Sequence, residues 1–226
     1  MKYPLTIAAI ALAALMPPSE AAALRESGDP LDSARWSDMQ KSFLAGSPVL
    51  FDPRVKVIAP STAENPMQVP VTVDATALPG VLEVVVFADF NPIVQVLRFF
   101  PEDAPAFLGF RVKLQQSTPV RAAVRTTDGV WHVGGVWVNT VGGGCTAPSA
   151  AGGSKEWQQR LNGTPAFFLE EINFADAAGK RLMRVQTYEP VSENPVFTLQ
   201  RTSADGPVEA TGRDNNGNVF KARIAQ

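Results

Sequence analysis

The chain has 226 residues, 45% hydrophobic and 19% charged, enough apolar content for one large core or two small ones. Its 20 basic and 22 acidic residues give a net charge of -2 with no basic cluster beyond isolated pairs, which excludes the concentrated positive patch that nucleic-acid binding needs. One His and one Cys cannot supply a zinc site of three or four Cys/His ligands, nor a copper site of two His and one Cys, so no metal or cofactor is expected.

The chain opens MKYPLTIAAIALAALMPPSEAAALRE. Lys2 precedes an apolar run from Leu5 to Met16, and the small residues Ala21 and Ala23 stand where a signal peptidase reads. The run is too short to anchor the chain in a bilayer. Residues 1–23 therefore read as a signal peptide cleaved near Ala23, and the rest as an exported protein, periplasmic in a bacterium. No cysteine near that point offers lipid attachment and no later stretch approaches spanning length, so no membrane anchor is expected.

Residues 24–48 are polar, with one helix expected around DSARWSDMQKSFLAG. From Val49 the texture changes to short runs rich in Val and Phe: RVKVIAP, MQVPVTVDA, VLEVVVFAD, IVQVLRFF, AFLGFRVKLQQ, PVRAAVRTTD and VWHVGGVWVNTV. In the second of these Met67, Val69, Val71 and Val73 alternate with Gln68, Pro70, Thr72 and Asp74, the period of a half-buried strand. Seven short strands separated by turn signals, with no long amphipathic helix among them, predict an antiparallel β-sandwich of immunoglobulin-like type over residues 49–141.

A stretch of small residues, GGGCTAPSAAGGS, marks the next boundary, a Gly-rich linker over 142–156. Residues 157–226 form a second, small β-domain. There KEWQQRLNG suggests a helical turn or two, followed by AFFLEEINF, KRLMRVQTYE, NPVFTLQRT, PVEATGRD and NVFKARI. The last two are joined by DNNGN, whose Asn-Gly supplies the positive φ of a tight hairpin.

The linker holds the chain's one cysteine, Cys145, after Gly142, Gly143 and Gly144. Exported proteins generally pair their cysteines, so a single one implies an intermolecular bond or a usable thiol. A catalytic pair with His132 would require a base held within hydrogen-bond reach, which a glycine-rich arm does not provide, and His132 in VWHVGGVW reads as an ordinary strand residue. Nothing near Cys145 lowers its pKa; Lys155 is the nearest cation and no helix starts directly after the thiol. No phosphate-binding glycine pattern is present, Glu170, Glu171 and Glu189 read as solvated strand edges, and the Asn162 sequon is a three-residue match. A mobile thiol suits carriage, because glycines give an arm wide φ/ψ freedom and little bulk. Fully extended, Gly142 to Cys145 reaches roughly 13 Å at about 3.3 Å per residue.

The stretch VVVFADFNPIVQVLRFFPEDAPAFLGFRVKLQQSTPVRAAVRTTDGVWHVGGVWVNTVGGGC resembles the cysteine-bearing subunit, SoxY, of the sulfur-oxidation carrier SoxYZ. The shared features are an NP after the third strand, an RVKL strand followed by STPVRAAV, a DG turn, and a last strand running into a glycine-flanked cysteine. The tail ENPVFTLQRTSADGPVEATGRDNNGNVFKARI looks like the end of the partner subunit, SoxZ. Both in one chain resemble the fused SoxYZ-related carriers associated with quinoprotein dehydrogenases. The resemblance implies two immunoglobulin-like sandwiches and a cysteine that carries a covalent sulfur adduct while separate enzymes act on it. Cys145 is then the attachment site, Gly142, Gly143 and Gly144 the arm, and the protein is not itself an enzyme. The implied partners are a quinoprotein dehydrogenase or Sox-type enzymes, with cytochrome c. Two departures stand out: Thr146, Ala147 and Pro148 continue the chain where the family subunit ends in Gly-Gly-Cys-Gly-Gly, and the front section of the partner subunit is missing, which implies a trimmed second sandwich.

The main reading is thus a carrier of a sulfur-containing or thiol-reactive intermediate on Cys145, presented to a partner redox enzyme. A second is an accessory binding module of a periplasmic dehydrogenase with Cys145 incidental. A third, a transferase using Cys145 and His132, requires turnover by the purified protein alone, and none is expected.

Overall fold

Val-rich and aromatic runs, broken by Pro, Gly, Asp and Asn, form strands here for the usual reason: branched and aromatic side chains pack well on a pleated surface. The computed structural model describes residues 28–141, 168–192, 195–202 and 206–224. The expected signal peptide, the KEWQQRLNG turns, Gly142, Gly143, Gly144 and Cys145 lie outside these residues. One helix, α1 (Trp36–Phe43), precedes the strands β1 (Val49–Phe51), β2 (Lys56–Ile58), β3 (Thr62–Ala63) and β4 (Val69–Asp74). There follow β5 (Val81–Ala88), β6 (Gln95–Phe100), β7 (Phe107–Val112), β8 (Thr118–Thr126) and β9 (Trp131–Thr140). After the undescribed stretch come β10 (Leu169–Ala175), β11 (Arg181–Thr187), β12 (Thr198–Leu199), β13 (Val208–Asp214) and β14 (Val219–Ile224).

Two sheets result. The larger runs β1-β9-β8-β5-β6-β11-β10-β13-β14, with β3 also on β9, and the smaller runs β12-β7-β4-β2. The pairs β1–β9 and β3–β9 are parallel and the rest antiparallel. At the β13–β14 hairpin Gly217 takes φ 85°, a conformation open to glycine without strain, while Asp214 Oδ1 accepts the backbone N–H of Asn216 and Asn218. That is the tight turn read from DNNGN.

One apolar core joins the sheets. Val69, Val71 and Val73 from β4 and Leu108, Phe110 and Val112 from β7 meet Val84 and Val86 from β5 and Val120 and Val124 from β8. Ile172, Phe174, Met183 and Val185 from β10 and β11 belong to the same cluster. Met67, expected on the buried face with the valines, is 48% exposed, because the strand starts at Val69 and Met67 sits in a turn where Asn65 Oδ1 accepts its N–H. The outer side of β5 and β9 is covered by α1, where Trp36, Met39, Phe87, Trp131 and Val133 make a second cluster.

Where the sequence suggests a second β-domain beyond the linker, the structure shows its strands extending the first part's sheets. Thr187 to Arg184 on β11 pair with Leu97 to Phe100 on β6, and β12 pairs with β7. The fold is all-β, as expected, and its two parts share sheets and core.

Candidate functional site

β9 is the last described strand before Cys145 in the sequence, and its end is held on both sides. On one side Val138 pairs with Thr118 of β8, and on the other Asn139 and Thr140 pair with Thr62 and Ala63 of β3. Ser61 O accepts the Asn139 backbone N–H at 2.9 Å and its side-chain Nδ2 at 3.1 Å; Ser117 Oγ accepts Thr140 N–H at 3.1 Å, and Ala63 O accepts Val141 N–H at 3.2 Å. Every backbone donor from Asn139 to Val141 is therefore engaged, which gives the departing chain a rigid root.

An aromatic platform lies beside that root. Trp137 packs edge-on against Phe90 at 5.9 Å and donates its indole N–H to Asn139 Oδ1 at 3.1 Å. Trp137 is 36% exposed and Val141 58%. The loop carrying Phe90 is held by buried Asn91, whose Nδ2 donates to Lys113 O at 2.8 Å and whose Oδ1 accepts Gln115 N–H at 3.2 Å. The Asn-Pro after β5, noted in the sequence as a pattern only, thus ties this loop to the one that enters β8. Sequence reading did not single out Phe90 or Trp137, since an exposed aromatic on a strand has no signature of its own.

Further down β9, His132 is buried and its Nδ1 lies 2.7 Å from Asp52 Oδ2; Asp52 also takes Arg54 NH2 at 2.7 Å and the Arg54 backbone N–H at 2.8 Å. This gives His132 a structural role that ties β9 to the chain after β1, in line with an ordinary strand residue. Beside it Gly134 is where the backbone of Val55 passes: a Cβ there would sit 2.0 Å from Val55 O. Burial acts to raise the Asp52 pKa, but the bonds from Arg54 and His132 outweigh it and hold the group at about 2, below its ordinary 3.8. A depressed carboxylate stabilises the fold above pH 3.8, and that stability is lost as the pH falls from 3.8 through about 2. The loss should amount to about 2 kcal/mol. Urea denaturation between pH 5 and pH 2 checks it: the difference in stability between the natural chain and Asp52→Asn should shrink across that window.

A second buried charge group lies between α1 and the sheet. Arg121 of β8, 1% exposed, donates through NH1 and NH2 to Asp29 at 2.8 and 2.6 Å and through Nε to Asp89 at 3.1 Å, with its guanidinium 4.7 Å from the Trp36 ring centroid. Burial pushes Asp89 above its usual range; at Asp29 burial acts the same way, but the bonds from Arg121, Ser33 N–H and Leu31 N–H prevail and lower it. This group holds the segment before α1 against β8 and its neighbour β9, where Leu31 lies over Gly135.

Of the scattered carboxylates, Glu170 pairs with Arg213 at 3.4 Å and Glu171 accepts from Asn173. Among the described residues no group of three or more His, Cys, Asp or Glu could hold a metal ion, and no helix is long and apolar enough to cross a membrane.

Residues 40–145 match the family model of the sulfur oxidation protein SoxY, and residues 148–225 match that of the sulphur oxidation protein SoxZ. A comparison with curated protein sequences gives no match. Among solved structures, the sulfur carrier protein SoxY from Chlorobium limicola f thiosulfatophilum is 21% identical, with a TM-score of 0.42, over 47% of this chain and 96% of that one. The two family matches run consecutively over the described strands, and the chain contains a SoxY-like region followed by a SoxZ-like region, matching a fused SoxY/SoxZ-type carrier.

Proposed function

We propose that this protein is a periplasmic carrier that binds a sulfur-containing or thiol-reactive intermediate covalently on Cys145 and presents it to a separate redox enzyme. The consecutive SoxY and SoxZ matches support a sulfur-carrier role in a Sox-type system. The observation that carries the finer reading is that the SoxY match ends on residue 145, the chain's one cysteine, and the SoxZ match begins three residues later at 148. Gly142, Gly143 and Gly144 serve as its arm, starting from the root at Asn139, Thr140 and Val141. The chemistry asks for a thiolate that forms an adduct and a partner that releases it, which is why no base needs to stand beside Cys145. In this reading the partner is a quinoprotein dehydrogenase or Sox-type enzyme, together with cytochrome c. Residues 1–23 direct export, 49–141 form an immunoglobulin-like part, and 157–226 a trimmed one joined through the 142–156 linker.

Intact-mass spectrometry of the exported protein, isolated without reductant, tests the proposal. A discrete added mass that reductant removes and that Cys145→Ser lacks is the expected result. A bare thiol while the partner enzyme is turning over would instead favour an accessory module with Cys145 incidental.

A further inference from the structure

The outer face of the large sheet is covered by α1 over β9, β8 and the adjoining part of β5, but a row of polar side chains crosses the remainder. Arg125 on β8 lies opposite Glu83 on β5. Arg184 on β11 lies opposite both Phe100 on β6 and Asn173 on β10, and Arg98, two residues from Phe100 on the same face, lies opposite Gln186. The carboxylate of Glu83 is shared: Oε1 takes Arg98 NH2 and Oε2 takes Arg125 NH2, each at 2.8 Å. Positive charge is left over. Arg184 has no ion pair among the described residues, and its guanidinium stands over the Phe100 ring, 3.9 Å from its centre. Arg98 Nε is buried with no hydrogen-bond partner, and so is Asn173 Oδ1. The next carboxylate along the sheet, Glu171, accepts from Asn173 Nδ2 at 3.0 Å.

A buried N–H with no acceptor and a neighbouring guanidinium with no carboxylate need the same complement: an acceptor carrying negative charge. Arg98 and Arg184 are diagonal neighbours on paired strands, a spacing within reach of two long side chains, and guanidinium forks match planar pairs of oxygen atoms. We propose that Arg98 and Arg184 form an oxyanion-binding site on this face, across the seam between the SoxY-like and SoxZ-like regions. It is independent of Cys145. Asn173 Oδ1 adds an acceptor beside it, so an oxyanion that retains one proton has a further bond to make there.

The test uses the full chain labelled with nitrogen-15, following the arginine Nε–H signals while sodium sulfate is added, with sodium chloride at matched ionic strength as the control and hydrogen phosphate as a second probe. Saturable shifts at Arg98 and Arg184 with sulfate or phosphate but not chloride are expected. Arg184→Lys, which keeps the charge and loses the fork, should weaken binding about tenfold, and Arg184→Ala at least as much. Arg213→Ala, two strands from β11 on β13 and paired with Glu170, should leave it unchanged. Equal, unsaturable shifts in both salts, or saturable shifts indifferent to Arg184, would overturn the site. A response to hexaglutamate alone would also overturn it, assigning the face to an acidic protein segment.

Discussion

Arg121→Met is expected to lower stability by about 3–5 kcal/mol, the range for breaking a buried ion pair from one side. Arg121 lies between two carboxylates, Asp29 and Asp89, and its guanidinium donates to both. Methionine fills much of the same space, so the loss comes chiefly from two acids left facing each other with burial and mutual repulsion against them. Marginal folding stabilities of about 5–15 kcal/mol make that a large fraction of the total. Urea denaturation of the variant at pH 7 and at pH 4 separates charge from packing. The stranded carboxylates have raised pKa values in the folded variant, so their penalty is present at neutral pH and recedes as the pH falls and they protonate. The triple variant with Asp29→Asn and Asp89→Asn should recover most of the loss. Equal destabilisation at both pH values would show that Arg121 acts through its packing on Trp36 instead.

The same cluster shows where sequence reasoning runs out. Asp29, Asp89 and Arg121 come from a loop before a helix, a strand end and a strand middle, and no local pattern joins them. Strands that bury one face were legible, as the alternation of Val69, Val71 and Val73 in β4 shows. In β5 the run Glu83 to Ala88 is buried throughout, because one side meets the shared core and the other meets α1, and it reads as an apolar run with no face assigned. The two-residue β3 and three-residue β1 were missed, since both are too short to show a period and are held by parallel pairing to β9. The join of β6 to β11 brings together residues more than 80 apart, a register that only the folded core selects. Cys145 stood out in the sequence by its uniqueness and its glycines, whereas the hydrogen bonds that hold the end of β9 depend on Ser61, Ala63 and Ser117, three residues with no signature in the sequence.

Deleting Gly142, Gly143 and Gly144 is expected to leave the Cys145 thiol chemically competent while partner-dependent turnover falls by about a hundredfold or more, the scale on which small misplacements of a reacting atom act. On the proposed carrier reading the three residues, extended, would supply about 10 Å of reach, and the end of β9 could not give it back. Asn139, Thr140 and Val141 have their backbone N–H groups engaged with Ser61, Ser117 and Ala63, so freeing one residue of β9 breaks at least one of those bonds. Two readouts keep reach apart from chemistry. The rate of reaction with a small aromatic disulfide, which needs no reach, should stay within about twofold of the natural chain, because no neighbouring charge that tunes the thiol has been removed. Turnover by the partner enzyme should collapse, and replacing the three glycines with a Ser-Gly-Ser spacer of equal length should restore most of it, since such linkers keep length and freedom alike. Cys145→Ser abolishes both readouts. If the deleted chain turned over like the natural one, reach from the β9 root would not be what the glycines supply, and delivery on an extended arm would be wrong even with an adduct on Cys145.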